Sequence, residues 1–208
     1  MGLVRKRSDS EEIHNHERNQ DRDFDGLVHQ LASSDPEIRT WAARDLAEFK
    51  DSAKPLSRQL ENETNPNVRE AILTSLAVVG GDEAVQALIR CLRSDDAALR
   101  NGAIEAMENL PDSVAPVMSK LLTDPDSDVR IFAIDILESL RHPDVEKWLI
   151  NVLQTENHVN VCAGAINLLG EIGSDRALDA LEKVKDKFSD VNYIEFAVDV
   201  AVKRIKGT

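Results

Sequence analysis

Four arginines recur along the chain at almost constant spacing and are the residues best suited to bind a charged ligand. They are Arg39, Arg69, Arg100 and Arg130, separated by steps of 30, 31 and 30 residues. A ladder of guanidinium groups could hold a phosphorylated or carboxylate ligand, because a guanidinium forms two parallel hydrogen bonds with either group. Alternatively, each arginine begins a helix and pairs with an Asp or Asn of its own turn or of the next repeat. Since acids stand near every arginine, we predict a structural ladder.

Few residues of the chain are suited to act in catalysis. His14 and His16 form a His-x-His pair, but two histidines leave a closed metal site incomplete. We predict that Cys91 is a buried thiol and that Cys162 could be exposed at a groove, although no His or Asp is placed to activate it. The sequence has no Ser-His-Asp set, P-loop or glycine-rich dinucleotide loop. We therefore expect no catalytic residue, no metal and no cofactor.

The charge balance restricts the class of partner. The 208 residues carry 25 Lys and Arg against 38 Asp and Glu, for a formal net charge of -13. A nucleic-acid-binding protein needs a basic surface to contact phosphates, so we expect no nucleic-acid partner. No apolar run approaches the roughly 20 residues that span a bilayer, and residues 1–7 lack the apolar stretch of a signal peptide. We expect a cytoplasmic protein without a membrane partner.

A repeat of about 31 residues positions the arginines. Its fullest copies are residues 65–69 and 126–130, each with apolar residues three and seven positions after its arginine. Apolar residues three and four apart are typical of a helix face, and a second amphipathic stretch precedes each copy. The predicted N-cap residues are Asp35, Asn65, Asp96, Asp126 and Asp190. Pro55 and Pro116 are predicted to lie in the first turn of the preceding helices.

Units of helix, turn and helix cannot bury an apolar face alone, so neighbouring copies must stack. We predict an all-α fold, a right-handed α-solenoid of about six helical hairpins. The hairpins are expected at about residues 24–49, 52–80, 82–110, 112–141, 143–173 and 174–206, within a domain that spans 24–208. Residues 1–23 are polar and lack periodicity, which predicts a disordered tail.

The second helix of each predicted hairpin carries many of the acids. Counted from each arginine, positions +3 and +7 face the core, so positions +1, +5, +8 and +9 face solvent. We expect this exposed side to form a concave acidic groove for a protein or peptide with a basic surface, with Ile131 and Phe132 as apolar anchors. The predicted groove residues are Glu70, Glu105, Glu108, Ile131, Phe132, Asp135, Glu138, Asn167 and Glu171.

The pattern Asp/Asn-Pro-x-Val-Arg-x-x-Ala-x-x-x-Leu resembles the short HEAT-like repeat, a type also found in phycobilisome lyase subunits. The resemblance is best at residues 65–76 and 126–137 and extends over 24–206. It implies a helical solenoid, and it implies several roles, since such repeats serve as scaffolds, chaperones, lyases and occasionally enzymes. The fifth copy departs from the pattern, because His158 replaces the capping Asp and Cys162 replaces the Arg.

Two enzymes of this repeat class suggest alternatives to a scaffold role. Deoxyhypusine hydroxylase resembles this fold and binds two irons through repeated His-Glu pairs, but the only such pair here is His16-Glu17, outside the repeats. Bilin lyases resemble the chain in the repeat alone, and no motif marks a bilin pocket. We therefore expect a non-catalytic scaffold or adaptor in a bacterial signalling or assembly process. The alternatives are a bilin-lyase-like or chaperone-like subunit and, less favoured, an oxidoreductase like the hydroxylase.

Overall fold

The computed structural model of the protein describes residues 22–207. These residues form twelve α-helices and two 3-10 turns, and no β-strand occurs among them. The prediction of an all-α fold of helical hairpins, the α-solenoid class, is confirmed. The predicted tail lies outside the described residues except for Arg22, which forms an ion pair with Asp45, and Asp23, whose side chain accepts a hydrogen bond from the Gly26 amide.

The chain divides into two compact units, the first ending at Leu88 and the second beginning at Ile89. The helices of the first unit are α1 (Phe24–Gln30), α2 (Pro36–Leu46), α3 (Ala53–Asn62), α4 (Pro66–Val79) and most of α5 (Gly81–Cys91). In this unit α1 packs on α2, α3 packs on α4, and the second helices α2 and α4 pack on each other. Gly80 and Gly81 have positive φ angles of 64° and 78°, which allow the sharp turn from α4 into α5.

The second unit repeats the same packing over more hairpins. Its helices are the end of α5, α6 (Ala97–Glu108), α7 (Pro111–Leu121), α8 (Ser127–Ser139), α9 (Val145–Thr155), α10 (Val159–Ile172), α11 (Leu178–Lys187) and α12 (Asn192–Lys206). The second helices α6, α8, α10 and α12 pack successively, and α8, α10 and α12 each contact their own first helix. At Gly170 of α10 a Cβ atom would lie 3.1 Å from Ala201 of α12, so these two helices approach closely there.

Most second helices begin where the sequence predicts. The side chains of Asp35, Asn65, Asp96 and Asp126 accept hydrogen bonds from backbone amides of the first turn. The prediction for Asp190 is wrong, because α12 begins two residues later, at Asn192, and the Asp190 carboxylate accepts a hydrogen bond from Ser189 instead. These caps fix the orientation of each second helix and of the arginine one turn inside it.

One first-helix prediction is also wrong. Pro55 lies in the first turn of α3, as predicted, but Pro116 is the sixth residue of α7 because that helix already begins at Pro111.

The core is aliphatic, and its most regular layer is formed by the residue seven positions after each arginine. These side chains are at most 1% exposed: Leu46, Leu76, Met107 and Leu137. The opposite side of each second helix is thereby left to solvent.

Candidate functional site

A buried ion pair joins the first two hairpins. Arg39 Nε and Nη2 donate to Oε2 and Oε1 of Glu63 at 2.8 and 2.9 Å, and Arg39 Nη1 donates to the Ser33 carbonyl at 2.8 Å. The Glu63 side chain is only 2% exposed and also accepts hydrogen bonds from the amides of Thr64 and Asn65. The hydrogen bond from Arg39 outweighs the cost of burial and lowers the pKa of Glu63 to about 2.

The same arrangement recurs in the second unit. Arg130 Nε and Nη2 donate to Oε2 and Oε1 of Glu156 at 2.5 and 3.2 Å, and Nη1 donates to the Asp124 carbonyl at 2.7 Å. The amides of Asn157 and His158 also donate to Glu156, just as the amides of Thr64 and Asn65 donate to Glu63. Burial opposes ionisation, but Arg130 and the two amides together lower the pKa of Glu156.

The other two arginines of the ladder differ from this arrangement. Arg69 is partly buried on α4 and its Nε donates to the Glu63 carbonyl at 2.6 Å. Arg100 donates from Nη1 to the Ser94 carbonyl at 2.7 Å, and its guanidinium carbon lies 5.6 Å from the centre of the Phe132 ring. In all four cases the guanidinium contacts the carbonyl six residues earlier in the chain, which ties the start of the second helix to the preceding turn.

The expectation that Cys162 could be exposed is wrong. Cys162 occupies the arginine position of the fifth repeat, is fully buried, and its Sγ lies 3.8 Å from the Glu156 carbonyl. Lys187, from the following hairpin, donates a hydrogen bond to the same carbonyl. Burial raises the pKa of the Cys162 thiol to about 11, so it stays protonated and unreactive near neutral pH. Cys91 is buried, as predicted.

Four carboxylates come together on two neighbouring second helices of the second unit. This acidic patch consists of Glu105 and Glu108 on α6 and Asp135 and Glu138 on α8. Burial raises the pKa of Glu108, and the charges of the other three carboxylates raise it further, against a hydrogen bond from Ser139. Burial and the charge of Glu138 raise the pKa of Asp135. No Lys or Arg of the described residues forms an ion pair with the patch.

The remaining predicted groove residues surround the patch or lie apart from it. Ile131 and Phe132 are partly buried on α8, and Asn167 and Glu171 are exposed on α10. Glu70 is exposed on α4 of the first unit. Glu108 and Asp135 are partly buried, whereas Glu105 and Glu138 are exposed.

The sequence analysis did not identify several charged residues that form ion pairs in the structure. Glu63, Asp124 and Glu156 each stand two residues before an N-cap, and the recurrence of an acid at that place is the signal that could have identified them. Lys185 was also missed. It pairs with Asp199 at 2.7 Å and with Glu195 at 3.4 Å, so the equivalent acids of the last hairpin are neutralised within the chain.

Two further observations concern the described residues as a whole. None of their helices is both long and apolar enough to cross a membrane. Within residues 22–207, no group of three or more His, Cys, Asp and Glu side chains is placed to hold a metal ion.

Comparison with known proteins supplies the family. The HEAT repeats match residues 24–108 and 114–193. The "Uncharacterized phycocyanin operon protein Z" of Pseudanabaena tenuis (strain PCC 7409) is 22% identical over 188 residues, covering 85% of this chain and 92% of that protein. The complex of CpcE and CpcF of phycocyanin lyase from Nostoc sp. PCC7120 is 19% identical, with 96% of this chain and 100% of that chain covered and a TM-score of 0.41. A designed armadillo repeat protein is 16% identical, with coverages of 88% and 100% and a TM-score of 0.42. The chain belongs to the family of HEAT repeats.

Proposed function

We propose that this protein is a non-catalytic, cytoplasmic interaction scaffold whose acidic patch binds a protein or peptide with a basic surface. The observation that carries the proposal is the grouping of four carboxylates on α6 and α8 that have no cation partner in the described chain, and the raised pKa of Glu108 and Asp135 agrees with it. Like charges held together destabilise the free protein, and lysines or arginines of a partner would relieve that repulsion. Stacked helical hairpins offer extended surfaces of this kind to partners.

The contributions of the patch and its surroundings differ. The exposed Glu105 and Glu138 would attract the partner and speed its arrival, an effect that salt screens. Ile131 and Phe132 would supply apolar contact area that exposed charge pairs do not provide. We extend the proposed surface to Asn167 and Glu171 on α10. Glu70, on α4, is proposed separately as a partner contact of the first unit. A bacterial signalling or assembly process is the setting we propose for such a scaffold.

Charge reversal of the patch tests the proposal. The probe is a blocked peptide of alternating Lys and Arg, titrated calorimetrically at low and high salt. Because Asp135 is partly buried, the reversal is made at the exposed pair, Glu105→Lys with Glu138→Lys. We expect binding to weaken by more than about tenfold and its salt dependence to flatten.

A matched control separates the patch from the net charge of the protein. Glu83→Lys with Glu182→Lys makes the same charge change at exposed positions of the first helices α5 and α11. This control should bind the peptide nearly as well as the wild type. Equal losses in both double variants would show that only net charge matters. Wild-type binding by the patch variant would show that the patch is a solvated surface without a partner role.

A bilin-lyase-like or chaperone-like subunit is the second candidate function. The similarity to a phycocyanin operon protein over most of both chains favours it. The purified protein would be incubated with a bilin and an acceptor apoprotein, and its visible absorption recorded together with its iron content. Transfer of the bilin to the acceptor would replace the scaffold proposal with a lyase role, whereas stoichiometric iron would favour a hydroxylase.

A further inference from the structure

Arg100 is anchored like Arg39 and Arg130 but lacks their carboxylate partner. All three donate from Nη1 to the carbonyl six residues earlier, at 2.7 to 2.8 Å. In Arg39 and Arg130 the opposite edge, formed by Nε and Nη2, donates two hydrogen bonds to a glutamate. Among the described residues no acceptor takes a hydrogen bond from this edge of Arg100, and its Nε is buried.

The length of one side chain explains the missing partner. Asp124 stands two residues before the cap Asp126, at the place that Glu63 and Glu156 occupy in their repeats. Asp124 is one methylene shorter than a glutamate. Its Oδ2 accepts from Nη2 of Arg93 at 2.5 Å and its Oδ1 accepts from the Asp126 amide at 3.0 Å. Its carboxylate is therefore committed to other donors.

An aromatic ring lies beside the Arg100 guanidinium. The Arg100 guanidinium carbon lies 5.6 Å from the centre of the Phe132 ring. The equivalent positions opposite Arg39 and Arg130 are Ala71 and Gly164, so the ring occurs where the glutamate is absent. The ring supplies no oxygen acceptor, so the buried Nε–H of Arg100 keeps no hydrogen-bond partner among the described residues.

We propose that the Nε and Nη2 edge of Arg100 binds the carboxylate of a ligand, which takes the place that glutamate side chains fill at Arg39 and Arg130. A buried N–H group requires an acceptor, and the two occupied sites show that a planar group with two oxygens fits this edge. Burial raises the pKa of Asp124, but hydrogen bonds from Arg93 and the Asp126 amide and the charges of Arg93 and Arg130 together lower it, so cations other than Arg100 lie near the site. The carboxylate belongs to a small organic acid or to an Asp or Glu side chain of a polypeptide. This proposal does not require that the acidic patch bind a basic partner.

The Arg100 Nε–H signal in a 15N-labelled protein tests the proposal by NMR. Glutarate and a blocked Gly-Glu-Gly peptide are titrated separately at constant ionic strength, with phosphate as a third probe. We expect carboxylate to shift the Arg100 signal saturably and to leave the signals of Arg39 and Arg130 unchanged. Tighter binding of glutarate would identify a small acid as the source, and tighter binding of the peptide would identify a polypeptide.

Two reciprocal variants test the role of side-chain length. Asp124→Glu should let an internal carboxylate reach Arg100 and weaken glutarate binding by about tenfold or more. Glu156→Asp should free the same edge of Arg130, whose signal should then respond to glutarate. Circular dichroism verifies that both variants fold. The proposal is overturned if no carboxylate shifts the Arg100 signal, if Asp124→Glu responds like the wild type, or if phosphate binds more tightly than either carboxylate.

Discussion

Two groups of carboxylates in this protein meet opposite electrostatic environments. Glu63, in a turn, is almost fully buried, yet its pKa falls to about 2 because Arg39 and backbone amides donate to it. Glu108, in the acidic patch, is more exposed, yet its pKa is raised, because burial is reinforced there by three neighbouring carboxylates. Cations and amide donors, more than depth of burial, thus decide the sign of the shift. The turn acids Glu63 and Glu156 pair with arginines, whereas the acids of the patch have no cation partner among the described residues.

The largest expected change in the free energy of unfolding comes from removing a turn carboxylate. Glu63→Gln leaves the Arg39 guanidinium buried without a counter-charge, and we expect the free energy of unfolding to fall by about 3 kcal/mol. Urea denaturation at pH 7 measures the change. Glu83→Gln, at an exposed position of α5, serves as the control and should change stability by less than about 0.5 kcal/mol. A loss below about 1 kcal/mol at Glu63 would remove the distinction between the two groups.

Lowering the pH should remove the stability that the ion pair of Glu63 with Arg39 provides. The folded-state pKa of Glu63 is lowered to about 2 from the ordinary 4.5, so the folded protein binds this proton less readily than the unfolded chain. The stability that Glu63 provides is therefore fully present above the ordinary pKa and is lost as the pH falls through the folded-state pKa. The difference in unfolding free energy between wild type and Glu63→Gln should shrink steadily between pH 5 and pH 2, as measured by urea denaturation. A constant difference would contradict this assignment.

The next largest difference in stability is expected between variants of Arg130, which pairs with a glutamate, and of Arg100, which does not. Arg130→Ala leaves Glu156 uncompensated, and we expect a loss of about 3 kcal/mol. Arg100→Ala removes a hydrogen bond to the Ser94 carbonyl and the contact with Phe132 but strands no carboxylate, so a loss of about 1 kcal/mol is expected. Both variants are compared by urea denaturation in the same buffer. Equal losses would mean that Arg100 has an acceptor that the structure does not show.

The smallest effect, of opposite sign, is expected in the acidic patch. Glu108→Gln removes a charge that its neighbours repel, so we expect the free protein to gain about 0.5 kcal/mol of stability at pH 7. Because the folded-state pKa of Glu108 is raised, the gain should decrease as the pH falls through that pKa and vanish below the ordinary 4.5. Thermal denaturation at pH 7 and pH 4 measures it. A destabilised variant at pH 7 would show that the hydrogen bond from Ser139 dominates.

Features that depend on local spacing could be predicted from the sequence. The repeat, the all-α hairpins, the caps at Asp35, Asn65, Asp96 and Asp126, and the core position of Leu46 all follow from patterns within a few residues. Such patterns act through the first turn and the face of a single helix. The same local reasoning failed at Asp190 and Pro116, where the start of the helix is shifted although the pattern of the repeat continues.

By itself the sequence determined the family and the all-α repeat of helical hairpins. Only the tertiary structure decided which acids meet a cation. Arg39 and Glu63 are 24 residues apart, and Arg130 and Glu156 are 26 apart, so their pairing depends on how one hairpin stacks on the next. Whether Arg100 pairs with a carboxylate of the chain depended on the length of the Asp124 side chain. Whether a carboxylate reaches a guanidinium is a matter of distance in three dimensions, which the periodicity of a repeat does not contain.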